Sequence, residues 1–144
     1  YAEGLKEIFL TAHKNFEALP NNIKQTVVYD YPEPYQQDMI NYIYDHFDEF
    51  KLLITCSGGT AYSDFINMLV EIEVETTIDF INSTGNNALV SGRVTPEFMH
   101  IVSSAFFSAI FETVVHDMKR ENAEGYIESL RLFFTAGWKI ILDS

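Results

Sequence analysis

Cysteine is almost missing from this chain, with one residue, Cys56, in 144. A lone cysteine excludes an internal disulfide and a thiolate-built zinc site, and fits a reducing, intracellular setting. Glycine and proline are scarce, at 7 and 4. Basic residues number only 9 against 21 acidic ones, for a net charge of −12. A surface of that sign repels phosphate backbones and anionic lipid, which argues against nucleic-acid binding by this chain alone. Lys119-Arg120 is the one adjacent basic pair, and no basic stripe forms. There is no signal peptide and no apolar run of transmembrane length, so the expected location is the cytoplasm, away from the membrane.

What is abundant is apolar and aromatic: 47% of residues are hydrophobic and 15% are Phe, Trp or Tyr. Disorder would need fewer of them. The length suits one domain over residues 1–144. No segment sustains a period-two alternation, while apolar residues recur at three-to-four spacing, so the chain reads as all-α, a bundle of about five to six helices. The first helix carries Leu5, Ile8, Phe9, Ala12, Phe16 and Leu19 and stops before Pro20. A short helix is expected from Asn22 to Tyr31, broken by Tyr31-Pro32-Glu33-Pro34. One long helix is expected from Tyr35 to about Cys56, ended by Ser57-Gly58-Gly59. The next runs from Ala61 to about Ile81, followed by a polar loop to Val94. Thr95-Pro96-Glu97 is a strong helix start, with a hydroxyl cap, proline at the first position and an acid near the positive dipole end. That helix runs to about Met118, and a last one runs from about Ala123 to Leu142.

The last two helices are apolar over too much of their circumference. In SSAFFSAIFETVVHDM, Phe106, Ile110 and Val114 make one stripe, and Phe107, Phe111, Val115 and Met118 a second. The final helix pairs Tyr126, Leu130, Phe133, Gly137 and Ile140 with Ile127, Phe134, Trp138 and Ile141. A helix apolar nearly all round must be buried nearly all round. A twofold dimer in which the two helices of each copy form a four-helix interface meets that need. The expected contact residues are Phe107, Phe111, Val115, Met118, Tyr126, Phe134, Trp138 and Ile141. Complete wrapping of this hairpin within one chain is the alternative.

Three stretches then carry a family likeness: YIYDHFDEFKLLITCSGGTAYSDFINMLVEIEVETT, SSAFFSAIFETVVHDM and YIESLRLFFTAGWKIIL. In their order the chain resembles the C-terminal ligand-binding and dimerisation domain of tetracycline-repressor-like (TetR/AcrR) bacterial transcriptional regulators. The resemblance implies an effector-sensing homodimer whose DNA contacts belong to an N-terminal helix-turn-helix domain. No such domain is present in these residues. YAEGLKEIFLTAHKNF looks like the connecting helix that follows it. Tyr1 opens a helix already under way, so the expectation is a piece of a longer protein.

An effector pocket would lie among the earlier helices, against the near face of SSAFFSAIF and its Phe106. Polar groups on apolar stripes are the informative ones. His46 lies between Ile43 and Phe50, and Glu73 between Leu69 and Thr76; counting from Ser57-Gly58-Gly59, their levels nearly match. They are the expected polar anchors, surrounded by Phe9, Phe16, Tyr42, Phe50, Tyr62, Phe65, Ile66 and Leu69, with His13 at the pocket floor. The competing reading is a pair that only fixes helix register.

Catalysis and cofactors are not expected. Glu97-Phe98-Met99-His100 has the Glu-x-x-His spacing of di-iron bundles but occurs once, and those bundles need it twice. Glu112 and His116 supply two ligands, which do not make a metal site. Ser57-Gly58-Gly59-Thr60 lacks the lysine and the preceding strand of a phosphate loop, and there is no nucleophile elbow. Against the regulator stand a helical-bundle enzyme or metalloprotein, and a stand-alone carrier of apolar ligands.

Overall fold

The computed structural model describes residues 2–27, 33–55 and 60–143, and every described regular element is helical. Seven helices follow one another: α1 (Ala2–Glu17), α2 (Asn21–Val27), α3 (Glu33–Asp45), α4 (Phe47–Thr55), α5 (Thr60–Ser83), α6 (Pro96–Val115) and α7 (Arg120–Leu142). The all-α reading stands, with a higher helix count than five or six. The extra element arises because the helix expected over Tyr35–Cys56 is interrupted at His46. The helical hydrogen bonds His46 N–H to Tyr42 C=O and Phe50 N–H to His46 C=O, both 3.1 Å, continue across that turn. The interruption is therefore a kink and leaves the apolar spacing in phase. The Tyr31-Pro32 break, Cys56 and the Ser57-Gly58-Gly59 stop lie outside the described residues.

The most apolar helix, α6, sits at the centre, with α4, α5 and α7 against it. Its start is the one its sequence encodes: Thr95 Oγ1 accepts from the Phe98 N–H at 3.1 Å, with Pro96 in the first position. Its end falls three residues earlier than expected. Asp117 adopts a φ of 53°, and Met118 N–H reaches back to Thr113 C=O at 2.9 Å, closing the helix without a glycine. Lys51 of α4 covers the terminal carbonyls, donating to Val115 C=O at 2.9 Å and to Asp117 Oδ1 at 3.0 Å. Arg93 does the same for α7, donating from Nε to Ile141 C=O at 3.1 Å, while Asn86 donates to Leu142 C=O at 2.8 Å. Both helices thus have last-turn acceptors satisfied by long polar side chains from elsewhere in the fold.

Two apolar clusters result. The larger joins α1, α3, α4, α5 and α6 through Leu5, Ile43, Phe50, Phe65, Leu69, Phe107 and Phe111. The Phe111 ring lies 5.7 Å from both Phe50 and Phe65, and 6.1 Å from Tyr62. The smaller cluster joins Phe16, Phe80, Ile81, Val94, Met99 and Leu142 at the other end. Between α1 and α3 the backbone approach is close: a Cβ at Gly4 would overlap the Tyr42 hydroxyl and ring.

This arrangement corrects two residues of the expected dimer contact. Phe107 and Phe111 are 2% and 1% exposed within a single chain. They belong to the stripe Met99, Ser103, Phe107, Ile110, Phe111, Val114, all of it buried. Phe9 and Phe50 meet that stripe from α1 and α4, and Tyr62 and Phe65 from α5. Val115, Met118, Phe134, Trp138 and Ile141 are half-buried, and Tyr126 is exposed. The apolar surface that a single chain leaves uncovered is phased differently. On α6 it is Phe98, Ile101 and Ala105; on α7 it is Tyr126, Leu132, Phe133, Ala136 and Ile140, with Phe133 75% and Ile140 70% exposed. Gly137 opens onto the same side, with nothing within 4 Å of where its Cβ would be. Among the described helices only α6 has the length and composition to cross a membrane. Its buried stripe is what a central helix of a bundle also requires.

Candidate ligand cavity

Between the two clusters lies a cavity of about 250 Å³, walled by α1, α3, α5, α6 and α7. Its lining is dominated by rings: Phe9 and Phe16 from α1, Tyr35 from α3, Phe80 from α5, Phe106 and Phe107 from α6, Phe134 and Trp138 from α7. They meet edge to face or tilted, with Phe9–Phe107 at 5.3 Å, Phe16–Phe80 at 5.9 Å and Phe106–Phe134 at 5.2 Å. Rings are stiff and bulky, so five helices carrying them inward close around a space that they do not fill.

Two polar pairs reach this space. On one side His13 donates from Nδ1 to the Phe9 carbonyl at 2.8 Å, and its Nε2 meets Glu73 Oε2 at 2.6 Å. A carbonyl only accepts, so Nδ1 carries a proton. Burial by itself lowers the His13 pKa. The Glu73 hydrogen bond and charge, the Phe9 carbonyl and the charge of Glu17 outweigh it, and the net result is a pKa above the ordinary 6.5. His13 is therefore an imidazolium over a wider pH range, donating from both nitrogens. The second carboxylate oxygen, Glu73 Oε1, has no hydrogen-bond partner among the described residues.

On the other side Arg131 of α7, 9% exposed, donates to Glu128 through Nε at 3.1 Å and Nη2 at 2.7 Å. Gln36 of α3 donates to the same carboxylate at 3.0 Å. The Arg131 hydrogen bonds hold the Glu128 pKa below the ordinary carboxylate value. Ser103 of α6, 5% exposed, also lines the cavity, and its hydroxyl has no hydrogen-bond partner among the described residues.

Of the residues expected in a pocket, the structure brings together Phe9, His13, Phe16, Glu73 and Phe106 around this cavity. It places the others elsewhere. Phe50, Phe65, Ile66 and Leu69 are buried in the larger cluster, with Tyr62 packed against it. Tyr42 lies under Gly4 and against the His46 ring at 4.4 Å. The expected His46–Glu73 pairing is not formed, because Glu73 is taken by His13 of α1 and His46 lines no part of the cavity. Phe134 and Trp138, assigned from spacing to an interface between copies, turn inward onto the cavity. Arg131 and Ser103 were missed. A charge between Ile127 and Phe134 on one helical stripe was the available signal for Arg131; Ser103 gave none beyond its small size.

The arrangement has no obvious reaction chemistry. Among the described residues no three or more His, Cys, Asp or Glu side chains converge as metal ligands. Glu112 and His116 pair with each other at 3.0 Å on the surface of α6. Compared with known proteins, the chain matches no family model, no curated protein sequence and no solved structure.

Proposed function

We propose that this chain is the effector-binding and dimerisation domain of a bacterial one-component transcriptional regulator of the TetR/AcrR type. It works in the cytoplasm, without a cofactor and without catalysis. DNA is read by a helix-turn-helix domain outside these 144 residues. The observation that carries the reading is the shared wall. Phe106, Phe134 and Trp138 line the cavity from the same α6–α7 hairpin whose other side exposes Phe98, Ile101, Phe133 and Ile140. An occupant of the cavity touches the helices that a second copy would cover, which is the connection a sensor needs. The sequence likeness of the three quoted stretches supports the same assignment.

In this reading the interface is the outer face of the hairpin, with Tyr126 retained from the sequence-based set and Gly137 and Ala136 allowing close approach. Burying such side chains yields roughly 1.5–3 kcal/mol each, enough for several together to hold two copies. Sedimentation velocity tests it: the chain is expected to run at twice its mass at micromolar concentration, and Phe133→Asp with Ile140→Asp to run as a folded monomer. A wild-type monomer contradicts the dimer. The helical-bundle enzyme and the stand-alone carrier remain the competing readings; the cavity alone would serve a carrier, but a carrier has no use for the apolar outer face.

A further inference from the structure

The polar groups in the cavity wall narrow the chemistry of an occupant beyond apolar character. The two basic side chains, His13 and Arg131, each already donate to a carboxylate, Glu73 and Glu128. An anionic ligand would have to displace one of those carboxylates. A donor meets no such obstacle, because Glu73 Oε1 is an acceptor without a partner among the described residues. Ring faces surround the space, and the electron-rich face of a ring attracts a cation. The chain's net charge of −12 draws cations in and turns anions away.

Resting on the reading of this cavity as a ligand site, we infer that it takes a lipophilic cation. The cation is an alkyl or aryl ammonium whose charged nitrogen sits at Glu73 and whose apolar body fills the ring-lined space between Phe16, Phe80, Phe106 and Trp138. Selectivity against neutral molecules of the same shape then comes from one carboxylate. Imidazolium at His13 partly cancels that carboxylate, so the affinity for a permanent cation rises as pH climbs and His13 loses its proton. Among the described residues, the other charged or titratable groups facing this pair are Glu17 on α1, Tyr35 on α3 and Arg131 on α7, with none from α6.

Isothermal titration of the whole chain with phenylpropyl-trimethylammonium and with its uncharged tert-butyl isostere tests the inference. At about pH 8, where His13 is closer to neutral than at pH 6, the cation is expected to bind about tenfold more tightly than the isostere. Glu73→Gln should bring the two within about twofold by weakening only the cation. His13→Gln, which keeps the carboxylate, should retain the preference and remove its pH dependence. Equal affinities for the two probes in the wild-type chain overturn the cation assignment and leave the cavity a ligand site. Binding of neither probe overturns both.

Discussion

Two ends of this bundle are built from the same kind of residue and come out differently. Where α4, α5 and α6 cross, Phe50, Phe65 and Phe111 stack around one another with Leu69 and Val70, in a cluster made of apolar side chains. Where α1, α3, α5 and α7 face α6, an equal wealth of rings leaves about 250 Å³ open. The difference lies in the neighbours. At the solid end the rings alternate with branched aliphatic side chains that fill the gaps between them. At the open end the positions between rings carry His13, Glu73, Thr76, Ser103 and Arg131, which keep their hydrogen-bonding atoms accessible to the space. Apolar content alone therefore does not separate a core from a pocket; polar groups among the rings do.

Truncation at the two ends should separate them most. Phe111→Ala at the solid end is expected to cost about 3–5 kcal/mol in urea unfolding. Phe106→Ala, which widens a space already open, is expected to cost less than about 2 kcal/mol. Equal costs would mean that the cavity is as tightly packed as the core. A smaller contrast concerns backbone approach. Gly4→Ala drives a methyl into Tyr42 and should destabilise by about 1–3 kcal/mol, whereas Gly137→Ala meets empty space in one chain and should leave the monomer's stability unchanged or raised by up to about 1 kcal/mol.

The third contrast is pH. The solid end is apolar, and the open end has His13 with Glu73. The folded-state pKa of His13 is raised above 6.5. Its contribution to stability is therefore fully present below the unfolded value and is lost as pH rises through the folded one. The wild-type chain should lose stability on going upward from about pH 6.5 until His13 has titrated. The difference between wild type and His13→Gln, followed by urea midpoints across that range, should carry this slope. A difference that does not change with pH would mean the pair is not an ion pair in solution.

Much of the architecture was readable from spacing and caps. Thr95-Pro96-Glu97 marked the start of α6 to the residue, and the apolar periods placed α1 and α5 within a few positions of their ends. The kink at His46 was not readable, because the hydrogen-bond ladder continues through it and no proline or glycine signals it. That kink also defeated the estimate that set His46 level with Glu73, which treated α3 and α4 as one straight rod. The candidate site was half legible. Glu73 stood out as a charge on an apolar stripe. Its partner His13 stood at a stripe edge, and only the packing of α1 on α5 brings the two together. On α6 the two apolar stripes were correctly seen as too wide for one contact, yet periodicity has no means of saying which of them the chain covers itself. Phe107 and Phe111 went inward because Phe9, Phe50, Tyr62 and Phe65 met them there.

Trp138 is the chain's single tryptophan and lines the cavity, so its fluorescence reports on occupancy without a label. Titration with a neutral aromatic alcohol such as phenylpropanol is the most direct measurement. A saturable change in Trp138 emission is expected, at one site per chain, and it should disappear in Val102→Phe, which fills the space from α6. Emission that does not saturate, or that responds equally in the filled variant, would contradict a ligand cavity at this place.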